Sequence, residues 1–448
     1  MKLIINKFPP ITGRCEIDLS KKLTLFVGQN NSGKTYISQL IWGIFDTINL
    51  KDLIASTNDN FINQEDINEN KKAIKRLHRI VLILDTSLID RISYIFTTYI
   101  KRYKLQSIFK NSIDADFSFS INDAEVKPLF FKHNTFEKFC INKQSDSEKI
   151  EILLDDYDKT DYSVEITATL VKTIIENLST SSSFLPSSRL FFPSFYKYIF
   201  NTEKNLKDSM YKNLDKLDEN NKKFYAPSYT QPVDELIQKL IFSLDSPQEQ
   251  TIYLEKLAKI IEGNISVDKS EAIAMADISY NHKSGENIPM YLSSSMVNQL
   301  STLYLYFKYW INKENNFLII DEPEMNLHPA KKIEVMELLM HFASENKLLM
   351  ATHSNTLAKS IINYLHLFDL RDKGTDTQAF IEANELEMDS EINLSSNDIG
   401  IYYFNGKTII PYKYDDDSNI HFGTFSEVKE LQSIQFESIM NELESNDS

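Results

Sequence analysis

Phe26-Val27-Gly28-Gln29-Asn30-Asn31-Ser32-Gly33-Lys34-Thr35 satisfies the pattern G-x-x-x-x-G-K-[ST] without a mismatch. Its surroundings suit that pattern. Leu23 to Val27 is an apolar run that reads as a buried strand, and Tyr36 to Phe45 carries a helical pattern. A Gly-rich turn between strand and helix points successive backbone N–H groups, with the helix N-terminus behind them, at an anion. Gly28, Gln29, Asn30, Asn31, Ser32 and Gly33 are thus expected to cradle phosphate oxygens. Lys34 is expected to reach the β- and γ-phosphates of ATP, and the Thr35 hydroxyl to hold Mg²⁺.

The late chain narrows the chemistry. Asn316-Phe317-Leu318-Ile319-Ile320-Asp321-Glu322 reads as a buried strand ending in two acids. Asp321 is expected to bind Mg²⁺, directly or through water, and Glu322 to accept a proton from the attacking water. An acidic turn after a core strand is common, but here the run continues as Pro323-Glu324-Met325-Asn326-Leu327-His328-Pro329. A further strand, Lys347-Leu348-Leu349-Met350-Ala351-Thr352, leads into His353-Ser354. Ligands of open parallel sheets bind beyond the carboxyl ends of the strands, which makes His353 a candidate γ-phosphate contact. Between the two halves, Ser293-Ser294-Ser295 opens an apolar helix running to Trp310. Serines there make either an anion site or only an N-cap, and their place just before the Asp-Glu strand favours the anion site.

The 448 residues suggest two or three structural units at about 150 residues each. A composition of 42% hydrophobic and 25% charged residues can bury a sizeable core. No apolar run approaches ~18 residues and no signal peptide is visible, so a cytoplasmic location without membrane contact is expected. Cys15 and Cys140 exclude a disulfide scaffold or a cysteine-based zinc site. The net charge of −16 restricts nucleic-acid binding to a local patch. The candidate is Lys71, Lys72, Lys75, Arg76, His78 and Arg79 with Lys101, Arg102 and Lys104, a run that reads more readily as a solvated helix face.

Lys2–Lys7, Gly13–Leu19, Phe117–Val126, Val164–Leu170, Asn264–His282 and Ile288–Tyr291 read as strands. Asp46 to Glu69 reads as a loop, Asn70 to Tyr103 as one or two helices, Val171 to Leu178 as a helix, Ser179 to Ser183 as a polar spacer and Leu190 to Gly263 as largely helical.

Together the motifs resemble an ABC-type ATPase of the branch containing the SMC/Rad50 heads and the OLD-family nucleases. The likeness is greatest to the bacterial AAA family ATPases of phage-defence operons such as Septu, PARIS and certain retron systems. Gly28–Thr35 matches the Walker A, Phe317–Glu322 the Walker B, Asn326–Pro329 the D-loop and His353 the switch histidine, while Phe184–Arg189 looks like a P-x-x-R element. The resemblance implies an α/β, two-lobed nucleotide-binding head, a mixed or parallel sheet with flanking helices and helical insertions. In that frame residues 1–50 and 264–448 form the ATPase core. Residues 51–110 form a helical insertion, 111–189 a strand-rich part of the nucleotide lobe, and 190–263 a second helical insertion that is a candidate partner-binding region. The chain departs from the family in lacking a Gly after Ser293–Ser295, and no Toprim nuclease domain is expected after His353.

The resemblance further implies a homodimer, or a higher even-numbered assembly, with ATP sandwiched between the loop of one copy and Ser293–Ser295 of the other. The leading functional expectation is a sensor or regulatory subunit that holds or activates a separate effector, a nuclease or toxin. The alternatives are a DNA-repair ATPase acting through the basic stretch and an assembly scaffold with little turnover.

Overall fold

A computed structural model describes residues 1–46, 48–57, 77–135, 139–155, 163–178, 181–199, 201, 229–247, 251–268, 276–312, 315–412 and 433–435. The chain opens with β1 (Lys2–Lys7), β2 (Cys15–Asp18) and β3 (Leu23–Gly28), followed by the helix Lys34–Phe45. Then come β4 (Leu77–Ile83), β5 (Asp116–Ser120), β6 (Phe131–Thr135), β7 (Phe139–Lys143), β8 (Lys149–Asp155) and β9 (Ser181–Leu185). The late strands are β10 (Gly263–Asp268), β11 (Asp277–His282), β12 (Asn287–Pro289), β13 (Asn316–Asp321), β14 (Lys347–Thr352), β15 (Ile399–Phe404) and β16 (Ile409–Pro411).

The central sheet runs β16-β15-β3-β14-β13-β9. Five of these strands are parallel, and β16 closes one edge antiparallel. A parallel sheet buries both faces, so its strands read as continuous apolar runs. Side chains alternate between the two faces. Leu23, Leu25, Val27, Leu318, Ile320, Leu348 and Met350 belong to one hydrophobic core, while Phe26, Phe317, Ile319, Leu349 and Ala351 belong to the other. The sheet is the wall shared by both. Three antiparallel sheets surround it, in the orders β2-β1-β5, β4-β8-β7-β6 and β10-β11-β12.

Five expectations are corrected. The strand expected over Phe117–Val126 ends at Ser120, and Asp123–Val126 is a short helix capped by Asn122. Leu77–Ile83, expected within a helix, is a strand paired with β8. The run Ile80-Val81-Leu82-Ile83 is apolar at every position, and its periodicity does not separate strand from helix; the partner strand decides. The region 51–110 is therefore not all helical, although Thr86–Tyr99 is a helix. Val164–Leu170, expected as a strand, is the first half of the helix Ser163–Leu178. Its β-branched residues suggested a strand, but Ile166, Leu170, Val171, Ile174 and Ile175 are fully buried at helical spacing. Ser181–Ser183, expected in a spacer, begins an edge strand of the central sheet held by β13. Leu50–Ser56, expected in a loop, is a short helix capped by Asn49.

No helix among the described residues is long and apolar enough to cross a membrane. Part of the basic stretch, Lys71, Lys72, Lys75 and Arg76, lies outside the described residues. Of the remainder, Lys101 bonds Asp116 at 2.9 Å and Lys104 bonds Asp46 at 2.7 Å.

β3 and β15 lie so close at their ends that a Cβ on Gly28 would sit 2.2 Å from the Phe404 carbonyl oxygen. A backbone neighbour cannot rotate away. Gly28→Ala is expected to destabilise the fold by about 1–3 kcal/mol, read from urea denaturation, and an unchanged midpoint would contradict this packing.

Candidate functional site

β3, β14 and β13 are adjacent and parallel, with Val27 opposite Thr352 and Ala351 opposite Asp321. Their carboxyl ends therefore deliver the Gly-rich loop, His353 and Glu322 to one edge. There, a cleft of about 610 Å³ is lined by Pro9, Pro10, the run Asn30–Tyr36, Glu322 and His353.

The loop turns into its helix through Asn31 (φ 61°) and Gly33 (φ 99°), both left-handed. Gly33 also packs against Pro10, whose Cδ lies 2.8 Å from where a Cβ would stand. Only glycine meets both demands cheaply. Lys34 is buried, and its Nζ donates to the carbonyls of Gly28 (2.8 Å) and Gln29 (2.7 Å). Burial lowers the Lys34 pKa below its usual value, against the carboxylates of Asp321, Glu322 and Glu324, which raise it. Next to it the Thr35 hydroxyl donates to Asp321 Oδ2 at 2.7 Å, joining the start of the chain to its last third. Burial pushes the Asp321 carboxyl up to about 6, although the Thr35 hydrogen bond lowers it.

Glu322 adopts φ 50°, a conformation that costs a non-glycine residue roughly 1 kcal/mol or more. Both of its backbone groups are tied: the N–H donates to Ala351 O at 2.7 Å, and the carbonyl accepts from Arg189 Nη2 at 2.9 Å. The turn aims its carboxylate at His353, whose Nδ1 lies 3.3 Å from Glu322 Oε1. Lys34, Thr35, Asp321, Glu322 and His353 thus come together.

Ser293, Ser294 and Ser295 do not line this cleft. Ser293 Oγ donates to Met290 O at 2.7 Å, and Ser294 caps the helix Ser295–Leu305 by accepting from Val297 N at 3.2 Å. Ser294 and Ser295 are exposed.

Two supporting residues were not assigned a part in the site from sequence. Arg189 is fully buried and grips the end of β13. Its Nη1 donates to Asp321 O (2.5 Å) and Pro186 O (2.9 Å), and the Gln299 amide, in the orientation that gives both of its ends a partner, accepts from Nη2 at 2.5 Å. Burial lowers the guanidinium pKa to about 10. Glu324 is also buried. It accepts from the Thr352 hydroxyl, which in turn accepts from Ser354 N at 2.8 Å, so this pair braces the turn that carries His353. Pro186-Ser187-Ser188-Arg189 and Pro323-Glu324 were visible as sequence runs; their burial was not.

The chain belongs to the AAA ATPase domain family, whose pattern matches residues 1–358. No curated protein matches it. Solved structures similar to it include an SMC head bound to the C-winged helix domain of ScpA, at 12% identity and a TM-score of 0.38 over 94% of this chain and 99% of that one. An SMC head with an extended coiled coil bound to the C-terminal domain of ScpA, derived from Pyrococcus furiosus, matches at 11% identity and a TM-score of 0.36 over 97% and 98%. The SMC head domain from Thermotoga maritima matches at 11% identity and a TM-score of 0.31 over 92% and 98%.

Arg189→Met removes the donor to three backbone carbonyls in a site closed to water. It is expected to cost about 2–5 kcal/mol of stability in urea denaturation. A loss below that range would mean the clasp is dispensable.

Proposed function

We propose that this AAA-type ATPase domain binds Mg²⁺-ATP and hydrolyses it in a site shared by two copies of the chain. The observation that carries the reading is the convergence of Lys34, Thr35, Asp321, Glu322 and His353 on one cleft edge. The donor set fits Mg²⁺, a hard cation that prefers oxygen: the Thr35 hydroxyl and the buried Asp321 carboxylate adjoin. When bound, the ion neutralises charge on the β- and γ-phosphates. Lys34 exchanges its two loop carbonyls for phosphate oxygens, and the loop from Gly28 to Gly33 supplies backbone N–H donors. Glu322 accepts the proton of the attacking water, with His353 beside it at the γ-phosphate.

Ser293–Ser295 would complete the site from a second copy. Their exposed helix start supports this, as do the neighbouring Tyr291 and Leu292, each 67% exposed, an apolar area that a partner would cover. Contacts made only across the closed pair let ATP favour association and hydrolysis release it. We read residues 1–50 and 264–448 as the core of this engine, with β9 and Arg189 added from the stretch between them. The family resemblance suggests that it serves as a sensor or regulator of a separate effector, a nuclease or toxin, in phage defence. DNA repair is a weaker reading, because Lys101 and Lys104 are paired with acids.

Glu322→Gln should retain ATP affinity in calorimetry and lose about 10²–10⁴-fold in phosphate release. Lys34→Ala should lose ATP affinity itself. Normal turnover by either variant would refute the assignment of hydrolysis to this site; unimpaired function of Glu322→Gln in the host would instead favour a scaffold. The regulatory role is tested by co-purification with the product of a neighbouring gene, and an ATPase that ignores every such product would contradict it.

A further inference from the structure

Phosphate chemistry does not account for the whole cleft wall. Pro9, Pro10 and Tyr36 also line it, and none of them offers a charge. Tyr36 follows Thr35 on the first helical turn. It is 51% exposed, whereas most of the residues after it on that helix are buried. One side of its ring is nonetheless occupied. Phe109, almost fully buried, lies 5.6 Å away between centroids at 34°. Phe109 in turn packs on Phe8 at 5.9 Å, and Phe8 on Phe117 at 6.2 Å. A row of core rings therefore holds the Tyr36 ring in place from below while leaving it open to the cleft. Pro10 lines the same cleft and abuts Gly33. A pre-positioned aromatic face next to a phosphate loop lacks an explanation in terms of the phosphates, because they have no apolar surface to cover.

We propose that Tyr36, backed by Phe109, is the platform on which the base of the bound nucleoside triphosphate stacks, with Pro9 and Pro10 supplying the remaining apolar wall. The proposal rests on the ATP-binding reading above and adds the part of the ligand that the loop does not recognise. Stacking a base on an aromatic ring favours binding without reading the base edge, since every base has a π-face. Tyr36 is thus an affinity-determining residue for the nucleoside half, and Phe109 a positioning residue acting through it.

The test separates the two halves of the ligand. Calorimetric titrations of the full chain with Mg²⁺ compare ATP and inorganic triphosphate, which has no base. Tyr36→Ala should weaken ATP by about tenfold and leave inorganic triphosphate unchanged. Tyr36→Trp should keep ATP affinity, and Phe109→Leu should weaken ATP selectively and by less than Tyr36→Ala. The platform is overturned if Tyr36→Ala binds ATP like the parent chain, or if it loses ATP and inorganic triphosphate in equal proportion. A parent chain that binds neither ligand would instead refute the phosphate-loop reading, and the platform with it. Lys34→Ala marks that boundary, since it should lose both ligands.

Discussion

A guanidinium closed off from water holds the acidic end of β13 in place. Among the described residues Arg189 bonds no carboxylate; its two Nη groups are met by the carbonyls of Pro186, Asp321 and Glu322 and the amide of Gln299, and only Nε is left without a partner. Burying a charge is expensive unless its hydrogen bonds are made, so the arrangement tolerates little displacement of any partner. That rigidity has a local consequence. The strand must stop at Asp321 and turn sharply, and Glu322 is held in a left-handed conformation it would not choose alone. The turn separates two adjacent acids that would otherwise alternate across a sheet: Asp321 stays against Thr35 and Glu322 swings to His353.

The sheet extends this constraint to the rest of the cleft. With both faces buried, β3, β14 and β13 have no freedom to slide, because a shift of one residue would exchange their two sets of core side chains. The loop, the histidine turn and the acidic turn are therefore fixed relative to one another by the sheet. Lys34 is the exception that matters. Its ammonium is occupied by the carbonyls of Gly28 and Gln29, and it is the group the proposed mechanism asks to change partners. A site in which one cation moves and everything else is preset loses little to reorganisation.

The parts that sequence made legible are those whose pattern is local. Gly28–Thr35, the strand ending at Asp321 and the strand ending before His353 each carry strand, turn and chemistry within ten residues or so, and the structure places all three on one edge. The parts that were misread depend on partners far away in the chain. Leu77–Ile83 is a strand because β8 lies beside it, and Ser181–Ser183 is one because β13 does. Val164–Leu170 shows the converse: β-branched residues there are overruled by the apolar stripe that continues to Ile175. Burial of Arg189 and Glu324 was hidden for the same reason, since nothing in a short run of sequence tells a surface charge from a core clasp. The family match to residues 1–358 agrees with the reading of an ATPase and leaves its partner open.

In the reading proposed above the site is composite, with the loop of one copy served by the serines of another. Mixing two disabled chains tests it most directly. Lys34→Ala lacks a working loop, and Ser294→Arg blocks the helix start; each is expected to be inactive alone. In a mixed pair, one of the two sites would combine an intact Lys34 with an intact Ser294. Refolded or co-expressed mixtures are expected to regain ATP hydrolysis well above the sum of the separate variants. A mixture no more active than its parts, with mixed pairs shown to form, would contradict it.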